Sequence, residues 1–193
     1  MGQPAELGEH LGGYVLEKVL GQGGMGCVYL GTHHLLGRKA AIKVLDSALA
    51  SDAQFVSRFF HEAKIVNDIR HPNVVDIVDF IQTTDPVRVA YVMEFIEGSA
   101  VNEALRERRF TPVQAVNITS QVVQALEAVH ATGVIHRDLK PGNILLAANL
   151  EEAFDRPNTV KVLDFGIAKS SNSDAKHRTS TGALLGTPAY MAP

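Results

Sequence analysis

The sequence predicts an α+β protein in two parts, strand-rich before Gly98 and helix-rich after it. Three observations lead there. Between positions 14 and 96, five short runs rich in β-branched residues are separated by turns bearing glycine or proline. Within the same stretch, residues 51–69 carry apolar side chains at helical spacing. After Gly98 the pattern turns helical, and Thr111-Pro112-Val113-Gln114 is a helix-start signal with proline at the first position.

The elements follow in order. Residues 14–20 (YVLEKVL) mix alternation with aromatic and β-branched residues and read as a strand. Gly21-Gln22-Gly23-Gly24-Met25-Gly26 come next. Four glycines in six residues let the backbone turn tightly and approach a ligand, offering N–H groups to phosphate. Cys27-Val28-Tyr29-Leu30 then favour a second strand, whereas a dinucleotide-binding glycine run would open a helix.

Residues 38–45 (RKAAIKVL) form the next strand. Ala41, Lys43 and Leu45 share one face, and Ala40, Ile42 and Val44 the other. A small residue beside a lysine suits a pocket for a flat base and then a phosphate; a lysine snorkelling from an edge strand is the plainer alternative. Residues 51–69 read as a helix capped by Ser51 or Asp52. Phe55, Phe59, Val66 and Ile69 lie on one stripe, with Glu62 among them. A carboxylate there is costly unless paired, and Lys43 is its natural partner. His71-Pro72-Asn73 stop the helix, and residues 74–81 and 87–96 read as strands about a turn at 84–86.

Residues 99–109 read as a short basic helix. The helix from Thr111 runs to about Ala131 and closes at Gly133, with Ala115, Val122, Leu126 and Val129 as its core face. It leads to His136-Arg137-Asp138-Leu139-Lys140-Pro141-Gly142-Asn143, too polar and too rich in proline and glycine for a helix or strand, hence a loop. Such a loop suits phosphoryl transfer. Asp138 can orient a hydroxyl and accept its proton, Lys140 can balance charge, and the Asn143 oxygen can bind magnesium. An apolar run at 144–146 and an acidic, irregular stretch at 147–158 precede a strand at 159–163 (TVKVL). That strand delivers Asp164, followed by Phe165-Gly166, to where a carboxylate can reach a cation. Residues 170–181 are polar and predicted to be mobile when unmodified.

Composition bounds the function. The net charge of −3 gives no reason to expect nucleic acid or an anionic membrane as partner. The single cysteine, Cys27, excludes an internal disulfide framework and suits a reducing, cytoplasmic compartment. No apolar run approaches the ~20 residues that span a bilayer. The histidines show no metal-ligand spacing; His33-His34 read as a turn and His136 as structural.

In their order and separations these stretches resemble a protein kinase catalytic domain from Tyr14 to Pro193. DLKPGN resembles the Ser/Thr-specific catalytic loop, and AAIK the V-A-I-K motif, with Ala40 for its first valine. Asp164-Phe165-Gly166 resembles the D-F-G motif, and residues 186–193 (GTPAYMAP) the segment leading to A-P-E. GGMG and VLDFGIAK resemble the bacterial branch of Ser/Thr kinases.

The resemblance implies a protein-kinase-like two-lobed fold. Residues 1–13 would be an N-terminal extension, 14–96 the β-rich ATP-binding lobe with its one large helix, and 97–193 a partial helical lobe. It implies Asp138, Lys140, Lys43 and Glu62 as catalytic residues, the last two as an ion pair. It implies ATP contacts from Leu20, Gly21, Gln22, Gly23, Gly24, Met25, Gly26, Cys27, Val28, Ala41, Lys43, Glu94, Ile96 and Leu145. Met93 would be the gatekeeper, the backbones of Glu94 and Ile96 would bond adenine, and Asn143 and Asp164 would hold Mg2+. The reaction implied is transfer of the ATP γ-phosphoryl group to Ser or Thr hydroxyls of proteins, with autophosphorylation and kinase dimerisation to support it. Arg137 would pair with a phosphate on Thr179, Ser180 or Thr181, and Thr187 would bond Asp138 and Lys140.

Two departures stand out. The 147–158 stretch replaces a tight connection. The chain also stops at Pro193, one residue before the family's Glu, so the expectation is a piece of a longer kinase or a truncated product. A nucleotide-binding or partner-binding module without catalysis stays open as the alternative. So does a small-molecule kinase of related fold, although DLKPGN with Thr187 argues against it.

Overall fold

The computed structural model describes residues 5–147 and 158–164, apart from the Glu62 side chain. The chain divides into two compact units. One holds Met1–Asp68 and Asp76–Ile96, the other Ile69–Val75 and Glu97–Pro193.

The first unit is built on a six-stranded antiparallel sheet. Its strands are β1 (His10–Leu11), β2 (Tyr14–Gly23), β3 (Gly26–His33), β4 (Lys39–Leu45), β5 (Ile77–Thr84) and β6 (Val87–Glu94), in the order β1-β2-β3-β4-β6-β5. β1 falls within the expected N-terminal extension, yet it pairs with β2 through His10↔Val15 and Leu11↔Tyr14. β2 outruns its expected end at residue 20 and carries Gly21 and Gly23 within the ladder. Register shifts between Leu16 and Lys18 and between Val19 and Gly21 mark bulges, which sharpen local twist. The alternation read for residues 38–45 appears as burial. Ala40, Ile42 and Val44 join Leu11, Leu16, Tyr29, Ile81, Ala90 and Val92 in one core.

A short helix α1 (Ser47–Ala50), which the sequence reading leaves out, is capped by Asp46, whose Oδ1 accepts the Ala48 N–H at 2.9 Å. Helix α2 (Ala53–Ile69) starts where predicted: Asp52 Oδ1 accepts the N–H groups of Gln54 and Phe55 at 2.9 and 3.1 Å. Its buried stripe is Val56, Phe59, Ala63 and Val66, while Phe55 and Ile69 are only half-buried. The expected stripe included two flanking positions, because the true centre line steps by three, four and three residues. Phe59 packs on Tyr91 of β6 with ring centroids 4.9 Å apart. The strand expected from residue 74 starts at Ile77, and the one expected to reach Ile96 ends at Glu94.

The second unit carries a three-stranded antiparallel sheet of β7 (Gly98–Ala100), β8 (Ile144–Ala147) and β9 (Val160–Val162), in that order. A Cβ at Gly98 would fall on the Leu146 carbonyl, so β7 can close on β8 only with glycine there. Helix α3 (Val101–Glu107) is shorter than the predicted 99–109, because Ser99 is used in the ladder opposite Leu146.

Helix α4 (Pro112–His130) has the predicted capping box. Gln114 N–H donates to Thr111 Oγ1 at 3.3 Å, and Thr111 N–H donates to Gln114 Oε1 at 2.9 Å. Its buried face is Ile118, Val122, Ala125 and Val129. Ala115 is exposed and Leu126 half-buried, so the expected face was rotated by part of a turn. Gly133, at φ +79°, closes the connection after the helix, as glycine readily does.

Segment 69–75 follows α2 but belongs to the second unit. Val74 bridges Val162 in parallel, and Val162 N–H donates to Asn73 O at 2.8 Å. Asn73 Nδ2 donates to Val160 O at 2.8 Å and to Gln121 Oε1 at 3.0 Å. The same Gln121 oxygen accepts the N–H groups of Thr159 and Val160. α4, β9 and segment 69–75 are thereby tied by one buried amide cluster.

Candidate active site

In the first unit the glycine run forms the tip of the β2–β3 hairpin. Gly23 pairs with Gly26, Gln22 with Cys27 and Gly21 with Val28, leaving Gly24-Met25 as the turn. Gly26 is required by the fold: φ is +141° and a Cβ would fall on the Val44 carbonyl. At Gly21, Gly23 and Gly24 a Cβ would meet nothing within 4 Å. Packing within the unit does not demand glycine at those three, whereas close approach of a ligand backbone or phosphate would.

Leu20 is exposed on β2, and Val28 is half-buried on β3 opposite Lys43. Lys43 sits on β4 between Val28 and Tyr91, its Nζ 5.8 Å from the Tyr91 ring centroid. Ala41 lies two residues before it on the same strand, opposite Met93 of β6. Glu94 closes β6, its N–H donating to Asp76 O at 3.0 Å and its Oε1 accepting the Asp76 N–H at 2.9 Å. Ile96 follows, half-buried. One sheet thus assembles the hairpin, Lys43, Ala41, Met93 and Glu94. Glu62 lies on α2, but its side chain is outside the described set.

In the second unit the polar loop is held at both ends. His136, 2% exposed, donates from Nε2 to Leu163 O at 2.9 Å and accepts the Asp138 N–H on Nδ1 at 3.3 Å. Those roles define the neutral Nε2–H tautomer. Burial pushes the His136 pKa below its ordinary value, against the opposing pull of Leu163 O and of Asp164 and Asp138. Lys140 Nζ donates to Asp138 Oδ2 at 2.9 Å. Asn143 is buried in a 3-10 turn, Pro141–Asn143, and donates from Nδ2 to the Asp138 carbonyl at 2.8 Å. That bond turns the amide oxygen of Asn143 away from the Asp138 carbonyl.

β8 then pairs Ile144 with Val162, and Leu163 N–H donates to Asn143 O at 2.8 Å. Asp164 follows directly, at φ +50°, a left-handed conformation uncommon for a non-glycine residue. Asp138, Lys140, Asn143 and Asp164 are therefore gathered by one bonded loop–strand unit. Leu145 lies on β8, half-buried. Among the described residues no three or more His, Cys, Asp or Glu side chains group as metal ligands. The hard oxygens of Asn143 and Asp164 are the donor type that magnesium takes, with water and phosphate completing its shell.

The family model for the protein kinase domain matches residues 14–193. The chain belongs to the protein kinase domain family. Its relatives place it in the bacterial serine/threonine branch. It is 43% identical over 190 residues to the serine/threonine-protein kinase Pkn1 of Myxococcus xanthus, covering 97% of this chain and 26% of Pkn1. It is 39% identical over 186 residues to the serine/threonine-protein kinase PknA of Mycobacterium tuberculosis, covering 94% of this chain and 41% of PknA. The crystal structure of the Mycobacterium tuberculosis PknI kinase domain is similar, with a TM-score of 0.65 at 29% identity. That likeness covers 86% of this chain and 64% of the PknI chain. The chain thus spans well under half the length of these curated relatives.

The protein-kinase-like α+β fold expected from the motifs is the fold observed. Phe165, Gly166, Thr179, Ser180, Thr181, Thr187 and residues 148–157 lie outside the described set. His136 was read as structural, but two ties escaped the sequence reading. His136 and Leu163 tie the polar loop to the strand bearing Asp164, and Gln121 binds that strand to α4. For Gln121 the available signal was an amide directly beside the Val122 position of the Ile118–Val122–Ala125 stripe.

Proposed function

We propose that this chain is the catalytic part of an ATP-dependent protein serine/threonine kinase, active on Ser and Thr hydroxyls of proteins and on itself. The observation that carries this reading is the joined set Asp138, Lys140, Asn143 and Asp164. Its acid, base and oxygen ligands are held by backbone bonds rather than by flexible side chains alone.

Asp138 orients the acceptor hydroxyl and takes its proton as the phosphoryl group transfers. Lys140, bonded to Asp138, balances the charge that develops on the transferring group. The glycine hairpin offers backbone N–H groups to the phosphates, and Lys43 pairs with them, supported by Glu62. Ala41 leaves room for adenine, and Glu94 and Ile96 bond it through their backbones. Leu20, Val28 and Met93 supply apolar walls. Asn143 and Asp164 would hold Mg2+, which supplies neutralisation of phosphate charge when bound. Most of the rate gain then comes from positioning and electrostatics. Arg137, exposed at φ +60°, would pair with a phosphate on Thr179, Ser180 or Thr181.

The test is phosphoryl transfer by the full-length protein bearing this chain, with Mg-ATP and a generic Ser/Thr acceptor. Asp138→Asn is expected to cut kcat by about 10²–10⁴ while leaving ATP binding in place. Intact-mass spectrometry reads the product. Wild-type turnover in Asp138→Asn would sink the assignment. Nucleotide binding with no phosphate-sized addition in the wild type would mean a binding module instead.

A further inference from the structure

Residues 5–11 are bonded to three strands of the first unit, β2, β3 and β6. Gly8 N–H donates to Leu16 O at 2.7 Å, and Leu16 N–H donates to Glu9 O at 3.0 Å, fastening the segment to β2. Tyr29 Oη, from β3, donates to Ala5 O at 2.8 Å. Arg88, from β6, grips Glu9 with two bonds, Nε to Oε1 at 2.9 Å and Nη2 to Oε2 at 3.2 Å. The two side chains are only 9% and 19% exposed. Leu11 sits in the core beside Leu16, Tyr29 and Ile42. Just beyond it, a Cβ at Gly12 would stand 3.0 Å from Ile81 of β5.

The placement matters because β2 and β3 are the two arms of the glycine hairpin. Tyr29 directly follows Val28, which stands opposite Lys43. The tip has open space over Gly21, Gly23 and Gly24. Its β3 side is held by the Gly26↔Leu45 pairing and by Asp46 N–H donating to Met25 O at 2.9 Å, which leaves the β2 side to be set from the base of the arms. The base is where the segment binds. A two-pronged, charge-assisted pair screened from water is a stiff link, and removing one partner strands the other charge.

We propose that residues 5–11 form a strap that positions the glycine hairpin over the nucleotide phosphates, acting through the Glu9–Arg88 pair and the Tyr29–Ala5 bond. The proposal rests on the kinase reading for its ligand. Glu9, Arg88 and Tyr29 are positioning residues, and none is assigned contact with substrate.

The experiment uses the full-length protein with Arg88→Met, Tyr29→Phe and the exchange Glu9→Arg with Arg88→Glu. Tyr29→Phe removes one hydroxyl and keeps the core ring, so it answers even where Arg88→Met fails to fold. Three quantities are read: the Kd for Mg-ATP by direct titration, the separate KM values for ATP and acceptor, and hydrogen exchange at residues 21–28. Tyr29→Phe and Arg88→Met are expected to weaken ATP about fivefold, the effect of losing one ordinary hydrogen bond. Exchange at 21–28 should quicken, the acceptor KM should stay unchanged, and the charge exchange should recover part of the loss. An unchanged ATP Kd in a folded Tyr29→Phe protein overturns the strap. So does a parallel change in both KM values with no change in exchange at 21–28. A wild type that binds ATP but transfers no phosphate defeats the kinase reading alone, since titration and exchange still judge the strap. A wild type that binds no ATP defeats both.

Discussion

Glycines that look alike in the sequence do different work. Gly26 is held at φ +141° against the Val44 carbonyl, so its missing side chain serves the fold. Gly24 has open space over it and φ outside the left-handed region, so the fold does not require its missing side chain, and the proposed kinase function assigns it to a ligand. Gly26→Ala is expected to destabilise by about 1–3 kcal/mol or more from backbone strain and overlap, read as a lower melting temperature. Gly24→Ala should leave stability within about 0.5 kcal/mol yet raise the ATP KM. Equal destabilisation by the two would contradict this division. At this scale the proposed catalytic set was legible as a cluster, because Asp138, Lys140 and Asn143 fall within six consecutive positions. The anchors were not. Nothing local tells that His136 will reach Leu163, 27 positions away.

Among the elements, α4 is the one whose start was written most plainly. Thr111 and Gln114 exchange side-chain and backbone bonds, satisfying two N–H groups at the helix start. Thr111→Ala should cost about 1 kcal/mol, and Thr111→Ser much less. Chemical denaturation of both variants would show it, and equal midpoints for Ala and Ser would argue against the cap. α2 shows the same success at Asp52 and a partial failure along its length. Its buried stripe is displaced because Phe55, Val56, Phe59 and Phe60 crowd two neighbouring faces. Strand ends were less legible than helix starts. β5 begins three residues late because Val74 belongs to the second unit, where it bridges Val162, and no rule of alternation anticipates that partner.

For the whole molecule, one buried and one half-buried group tie stability to pH with the same sign. His136 has its pKa pushed below 6.5, chiefly by burial, so the folded chain refuses a proton that the unfolded chain accepts. Its contribution is complete above that value and declines as pH falls through it. Burial pushes the Glu9 carboxyl up, but the Arg88 side-chain bond, the Glu6 backbone N–H and the Arg88 charge outweigh it, leaving its pKa below 4.5. The stability Glu9 adds is present above 4.5 and is lost as pH falls through the lowered folded value. Melting temperature should therefore fall in two stages on acidification, one beginning near pH 6.5 and one below 4.5. Each group contributes at most about 1.4 kcal/mol per pH unit. In His136→Gln the first stage should flatten, and in Arg88→Met the second. An unchanged slope between pH 7 and 5.5 in His136→Gln would remove that histidine from the account.

Features written within three or four residues could be read directly from the chain. The caps at Asp52 and Thr111, the glycine turn and the alternation of residues 38–45 are of this kind, since steric limits and hydrogen bonds act over that span. The motifs also carried the fold class, because each element type has its own period. Pairings over long separations needed the folded chain. The ties of Glu9 to Arg88, Asn73 to Gln121 and His136 to Leu163 cross 79, 48 and 27 positions. Each depends on where strands and helices come to rest, and that is set by burial of the whole core rather than by neighbours in sequence.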